Sequence, residues 1–82
     1  MLGNMKINII TPDENLYSGE VKDARLIGLD GHFEILNNHA PIVSALSKGE
    51  IKLIDNENQE HSFNINGGLL EMSNNEIQIL AQ

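Results

Sequence analysis

Alternation of apolar and polar residues, repeated in short segments along the whole chain, is the feature that most limits what this sequence can fold into. Ile7 and Ile9 share one side of an extended segment. So do Ala24 and Leu26, Ile51 and Leu53, Phe63 and Ile65, Leu70 and Met72, and Ile77 and Ile79. Successive side chains of a β-strand point to opposite faces, so each pair marks a strand with one face turned to a core. No window longer than about ten residues carries a 3.6-residue period, so no amphipathic helix competes. Further apolar residues at Ile10, Ile27, Ile54 and Leu80 imply strands that bury both faces or bend at their ends.

Turn chemistry punctuates these segments. Pro12-Asp13-Glu14-Asn15 closes the first, and Asp30-Gly31 favours a tight hairpin because Gly accepts positive φ. Ser47-Lys48-Gly49 fits a short loop closed by Gly, and residues 55–59 form a polar hairpin tip. Asn74-Asn75, between Ser73 and Glu76, reads as a two-residue turn. Pro41 heads the run Ile42–Leu46, a place a strand tolerates, and that run reads either as a strand or as a single helical turn. Gly67-Gly68 reads as backbone crowding at a strand start. Many short strands in one small chain make an all-β sandwich or barrel.

The 82 residues suit one domain spanning 1–82, with residues 1–4 a ragged leader and Met5 an alternative start. Twelve acidic and five basic residues leave a formal net charge of −7. Such a surface repels phosphate backbones and anionic lipid, so neither nucleic acid nor a charged membrane surface is an expected partner. The apolar runs fall far short of the roughly 20 residues that cross a bilayer, and the first residues hold no signal-peptide core. No direct membrane insertion is expected, and the setting expected is cytoplasmic. There is no cysteine, hence no disulfide and no thiolate chemistry.

Candidate chemistry is thin. Ser18, Ser44, Ser47, Ser62 and Ser73 occur without a nucleophile-elbow motif, so no enzyme is expected. His32, His39 and His61 match no zinc spacing. Residues 55–60 faintly suggest a calcium loop, but Glu60 stands where such a loop needs Gly and Asn66 where it needs Glu. A solvated hairpin tip explains them more simply. No Lys-Ser or Lys-Thr follows Gly67-Gly68, so no phosphate loop is present. The expectation is no metal and no cofactor. His39, beside Ala40-Pro41, is either a hydrogen-bonded structural residue at a strand junction or a residue that touches another protein.

The stretches ITPDENLYSGEV, IGLDGHFEILNNHAPIVSALSKGEIKL and FNINGGLLEMSNNEIQILA, in that order, resemble the N-terminal β-sandwich domain of the epsilon subunit of F-type ATP synthase. The likeness runs from about Lys6 to Ala81, through Thr11-Pro12, Ser18-Gly19, Gly31, His39-Ala40-Pro41, Gly49 and Gly67-Gly68. It implies a small antiparallel β-sandwich of about ten strands in two sheets. It implies a non-catalytic rotor component of the central stalk. That component grips the gamma subunit, rests on the polar loops of the c-ring, and couples proton or sodium flow to ATP synthesis on the alpha and beta subunits. The expected place is peripheral, on the cytoplasmic face of the bacterial inner membrane. Carried over position by position, Thr11, His39, Ala40, Ile42 and Ser44 would face gamma, in an exposed apolar patch of Ala40, Ile42 and Leu46. Leu29, Asp30, Gly31 and His32 would face the c-ring, with His32 where the family often has Glu. The chain stops at Gln82, where the family commonly continues into a helical hairpin, so neither the hairpin's brake nor its ATP site is expected here. A free-standing β-sandwich binding module is the competing reading, weakened by a count of only two Phe and one Tyr for lining a pocket.

Overall fold

A computed structural model describes residues 4–82. Of the expected leader, residues 1–3 lie outside the described residues, while Asn4 Nδ2 donates to Glu20 Oε1 at 3.0 Å. Eight strands follow: β1 (Met5–Ile10), β2 (Asn15–Gly28), β3 (Gly31–Leu36), β4 (Ile42–Leu46), β5 (Gly49–Asp55), β6 (Glu60–Ile65), β7 (Gly68–Ser73) and β8 (Glu76–Ala81). The described residues contain no helix, so Ile42–Leu46 is a strand and the helical-turn alternative falls.

The strands form two layers that share β2. In one, the first half of β2 pairs with β1, and the order continues through β8 and β7 to β4. In the other, the second half of β2 lies between β3 and β5, with β6 beyond β5. The 14-residue β2 therefore does the work of two strands, which brings the eight elements to nine where about ten were expected. Its corner is a bulge: the pairing with β5 shifts between Val21 and Asp23, leaving Lys22 extra. One extra residue exchanges the faces. Val21 is buried before the bulge, and Ala24 and Leu26 after it.

One pairing departs from the expected antiparallel pattern. β1 and β8 run parallel, from Lys6 beside Glu76 to Ile10 beside Leu80. β1 takes β2 on its other edge, so this pairing covers an edge that would otherwise be open. A parallel neighbour needs a long connection, and most of the chain separates these two strands.

Every strand contributes to a single core. Ile7, Ile9, Leu26, Ile35, Ile51, Leu53, Leu70, Met72, Ile77 and Ile79 are all essentially sealed from water. The six period-2 pairs thus face inward, with Phe63 at the margin. Tyr17 closes that margin, its ring 5.1 Å from His61 and 5.7 Å from Phe63. The turns follow their chemistry. Asn74 and Asn75 take φ of 51° and 62°, the left-handed pair that suits the twist of a two-residue hairpin. Gly68 is crowded as expected: a Cβ there would sit 2.5 Å from the Leu80 carbonyl oxygen.

Candidate docking faces

Each layer turns one face to the core and one outward. On the outer face of the first layer, cross-strand register sets Ala45 beside Leu69, Leu69 beside Leu80, and Leu80 beside Ile10. These four residues form an apolar row across four strands. Leu69 and Leu80 are each nearly half exposed, and Val43 on the adjoining row is 66% exposed. Thr11 and Pro12 border the row in a groove of about 450 Å³. Beyond it the face turns polar, with Lys6, Asn8, Ser18, Glu20, Glu71 and Gln78 around a second groove. There Ser18 Oγ donates to Asn8 Oδ1 at 2.7 Å and accepts from Asn15 Nδ2 at 2.8 Å.

The two expected contact sets meet in part. Leu29 and Asp30 form the β2–β3 turn, followed by Gly31 at φ 125°. Leu29 is 71% exposed, and its N–H donates to Ala45 O at 3.3 Å. A groove of about 400 Å³ is lined on one side by Leu29, Asp30, Gly31 and His32 and on the other by Ile42 and Ser44. His39 and Ala40 are exposed at the opposite end of β4. Thr11, assigned by the resemblance to the same gamma-facing set, does not lie beside them. β1 runs parallel to β8, so Thr11 follows the level of Leu80 and Ala45, whereas His39 precedes the level of Met72. Thr11 instead caps its own turn, its Oγ1 accepting from Asp13 N–H at 3.3 Å and Glu14 N–H at 3.1 Å.

The expected exposed patch of Ala40, Ile42 and Leu46 needs correcting. Leu46 is 4% exposed and belongs to the core, and Ile42 is half-buried against it. Ile42 pairs with the inward-facing Met72, which commits alternate residues of β4 to the interior. The exposed apolar residues of this strand are Val43 and Ala45. Leu69, Leu80 and Ile10 complete the face. Their signal in the sequence is an apolar residue on the parity opposite to a strand's core pair, present at Ile10, Leu80 and Leu69.

The second layer's outer face mixes charged side chains with Leu36, Ile54 and Ile27, so that no apolar row crosses it unbroken: Asp23 lies between Leu36 and Ile54. Arg25 Nε lies 3.3 Å from Asp23 Oδ2 and 3.4 Å from Glu34 Oε2. Asp23 is almost fully buried, and its Oδ1 has no hydrogen-bond partner. Burial pushes its carboxyl above the usual range, and neighbouring Glu34 adds to this while Arg25 opposes it. Asp55, at the β5–β6 tip, is the reverse. His61 Nε2 donates to its Oδ2 at 2.9 Å, and the N–H groups of Gln59 and Glu57 donate to its Oδ1 at 2.9 and 2.8 Å. These bonds, that of His61 foremost, hold the Asp55 carboxyl below the usual range. Residues 55–60 are accordingly a hairpin tip wired to itself, and the described residues hold no cluster of three or more metal-ligating side chains.

Fold and surfaces together define a small, closed β-sandwich whose outer faces and turns carry its distinctive chemistry. The family described as ATP synthase, Delta/Epsilon chain, beta-sandwich domain, matches residues 4–82. The ATP synthase epsilon chain of Chlorobium limicola is 40% identical over 77 residues, covering 94% of this chain and 88% of that one. That of Helicobacter pylori is 38% identical over 77 residues, again 94% of this chain but 62% of the relative. In fold, the chain superimposes with a TM-score of 0.89 on a chain of the Euglena gracilis mitochondrial ATP synthase structure containing OSCP, F1 and c-ring, at 16% identity, covering 95% of this chain and 50% of that one. A chain of the Tetrahymena thermophila mitochondrial ATP synthase central stalk and c-ring gives 0.80 at 17% identity, over 99% of this chain and 65% of that one. The chain belongs to the β-sandwich family of ATP synthase delta and epsilon chains.

Proposed function

We propose that this chain works as an epsilon chain of F-type ATP synthase: a non-catalytic rotor component that links the gamma subunit to the c-ring and couples proton or sodium flow to ATP synthesis. Its identity to epsilon chains over almost its whole length supports the role. One structural observation carries the docking part of the reading. The row Ala45, Leu69, Leu80 and Ile10 leaves apolar side chains on an outer face that a free-standing domain would gain nothing by exposing. That row is the proposed centre of the gamma contact, bordered by Thr11 at one end, with His39 and Ala40 reaching the partner from the other. Ile42 and Ser44 take part through the groove they share with the β2–β3 turn. Leu29, Asp30, Gly31 and His32 are the proposed c-ring contact. A turn that projects 71% of a Leu into water suits a rim contact against polar loops.

A transmitter of torque has to resist shear, and a closed sheet ring with one packed core does so. The role asks for no bond to be made or broken by the chain. Its proposed place is peripheral, at the cytoplasmic face of the inner membrane of a bacterium, alongside the alpha and beta subunits. The test is affinity capture with the tagged chain from detergent-solubilised membranes of cells producing the complete synthase. Gamma and c-ring subunits should be retained together. Failure to retain gamma, with the chain folded, overturns the assignment.

A further inference from the structure

The segment 37–41, which carries His39 and Ala40, is tied to the neighbouring β7–β8 turn by one side chain. Asn75, in the β7–β8 turn, accepts the Asn38 N–H on its Oδ1 at 2.8 Å. Its Nδ2 donates to Asn37 Oδ1 at 2.7 Å. Its own carbonyl accepts the Lys6 N–H at 3.0 Å, so one residue joins β1, the β3–β4 loop and the β7–β8 turn. Asn38 and Asn75 both take left-handed backbone, φ 64° and 62°, so each contact is made from a committed conformation. The loop is then finished locally. His39 N–H donates to Leu36 O at 3.2 Å, and His39 Nδ1 donates to Ala40 O at 2.7 Å. A carbonyl only accepts, so Nδ1 carries the proton, and Nε2 is left as the ring's other polar atom on an exposed residue.

We propose that Asn75 is a positioning residue, which from the neighbouring turn presets the pose in which His39 and Ala40 meet the gamma subunit. This rests on the reading of His39 and Ala40 as gamma contacts. The physical reason is pre-organisation. A loop already held in its bound shape loses less conformational freedom on docking, so more of the contact energy appears as affinity. Nothing in the turn itself asks for these two side-chain bonds. Positive φ at position 75 would be met by Gly, which offers no amide to the loop.

That difference supplies the test. Asn75→Gly keeps the backbone conformation and removes both bonds to the loop. Asn75→Asp keeps the acceptor for Asn38 N–H, and the Asn37 amide can turn its NH₂ toward the second carboxylate oxygen. Two measurements are made on the full chain: hydrogen exchange of the Asn38 backbone amide, and dissociation from purified gamma subunit. For Asn75→Gly we expect exchange at Asn38 to quicken about tenfold and the Kd for gamma to weaken about five- to tenfold. Asn75→Asp should stay close to wild type in both. Unchanged Asn38 exchange in Asn75→Gly overturns the tie. Faster exchange with undiminished gamma affinity overturns the positioning role. If wild type shows no affinity for gamma, the docking reading falls and the positioning role with it, whatever the exchange shows.

Discussion

The two outer faces of this sandwich come from the same alternating pattern and differ in what the alternation sends outward. On the first layer, the row Ala45, Leu69, Leu80 and Ile10 is apolar across four strands. On the second, the register places Glu34 beside Arg25, Arg25 beside Lys52 and Lys52 beside Ser62. Leu36, the most exposed large apolar side chain of that face, stands in register with Asp23. The core dictates the inward set in both layers and is indifferent to the outward set. A sheet face left to water fills with charged and polar residues. One that stays apolar across several strands reports a surface meant to be covered. The proposed docking face therefore rests on this difference and not on any pocket.

The sharpest way to break this comparison is to charge the apolar row. Leu69→Lys together with Leu80→Lys sets two ammonium groups in the centre of the proposed gamma contact. Centrally placed interface residues commonly contribute about 2 kcal/mol or more each. The pair should weaken gamma binding at least about a hundredfold, at 1.4 kcal/mol per factor of ten. Both side chains already reach solvent, so the melting temperature should move little. Surface-immobilised gamma measures the first quantity and calorimetry the second. Undiminished binding would remove the row from the interface.

The next effect reaches the same face from beneath. Gly68→Ala adds a methyl group 2.5 Å from the Leu80 carbonyl oxygen, and backbone cannot swing aside as a side chain can. The β7–β8 pairing must open there. Overpacking of this kind costs about 1–3 kcal/mol. Denaturant unfolding should show that loss, and gamma binding should fall with it because Leu69 and Leu80 flank the site. A variant as stable as wild type would mean that the β7–β8 approach is looser than the structure has it.

The inner half of this molecule was legible in its sequence, and the outer half only in places. The six core pairs, the Asn74-Asn75 turn and the residue 55–59 tip follow from period and turn chemistry, both local properties. The bulge at Lys22 is not local. Alternation breaks there, with Lys22-Asp23 both polar between Val21 and Ala24, but only the partner strand shows that the break is a bulge that exchanges the faces. The parallel pairing of β1 with β8 was hidden for the same reason, since periodicity names a face and never a neighbour. The β4 error is different. Ile42 and Leu46 lie on one parity and Val43 and Ala45 on the other, so alternation alone cannot say which set faces water. The register with Met72 decides it.

A smaller effect separates two carboxylates of the second layer. Asp23 has its titration raised by burial and Asp55 has its titration lowered by hydrogen bonds, so their pH signatures oppose. A raised carboxyl binds its proton more tightly in the folded chain. Its penalty is absent below the ordinary value near 4 and grows as pH rises through the raised value. Asp23→Asn should therefore stabilise above the raised value by about 1 kcal/mol, removing a buried carboxylate whose Oδ1 has no partner. That gain should fade toward pH 4. Asp55 contributes stability above the ordinary value and loses it as pH falls from there through its lowered value. Asp55→Asn should thus destabilise at neutral pH, and the difference should close in acid. Urea midpoints at a series of pH values read both. Parallel pH dependence of the two variants would contradict the opposed environments.

The smallest effect is the control that gives the largest its meaning. Leu36→Lys makes on the second face the substitution that Leu69 and Leu80 receive on the first. Leu36 is 52% exposed, about as open as either of them, so loss of apolar area to water is matched. Its surroundings are not. The new ammonium would lie in register with Asp23, on a face already carrying Arg25, Glu34 and Lys52. A cross-strand pair of opposite charge contributes only about 0.2–1 kcal/mol, and screening by salt reduces it further. Stability should rise slightly, and the Kd for gamma should stay within about twofold of wild type, less than the 1.4 kcal/mol that a factor of ten requires. If this variant loses gamma as the double lysine variant does, exposure to water and not the apolar row would be what the partner senses, and the two faces would have to be treated as equivalent.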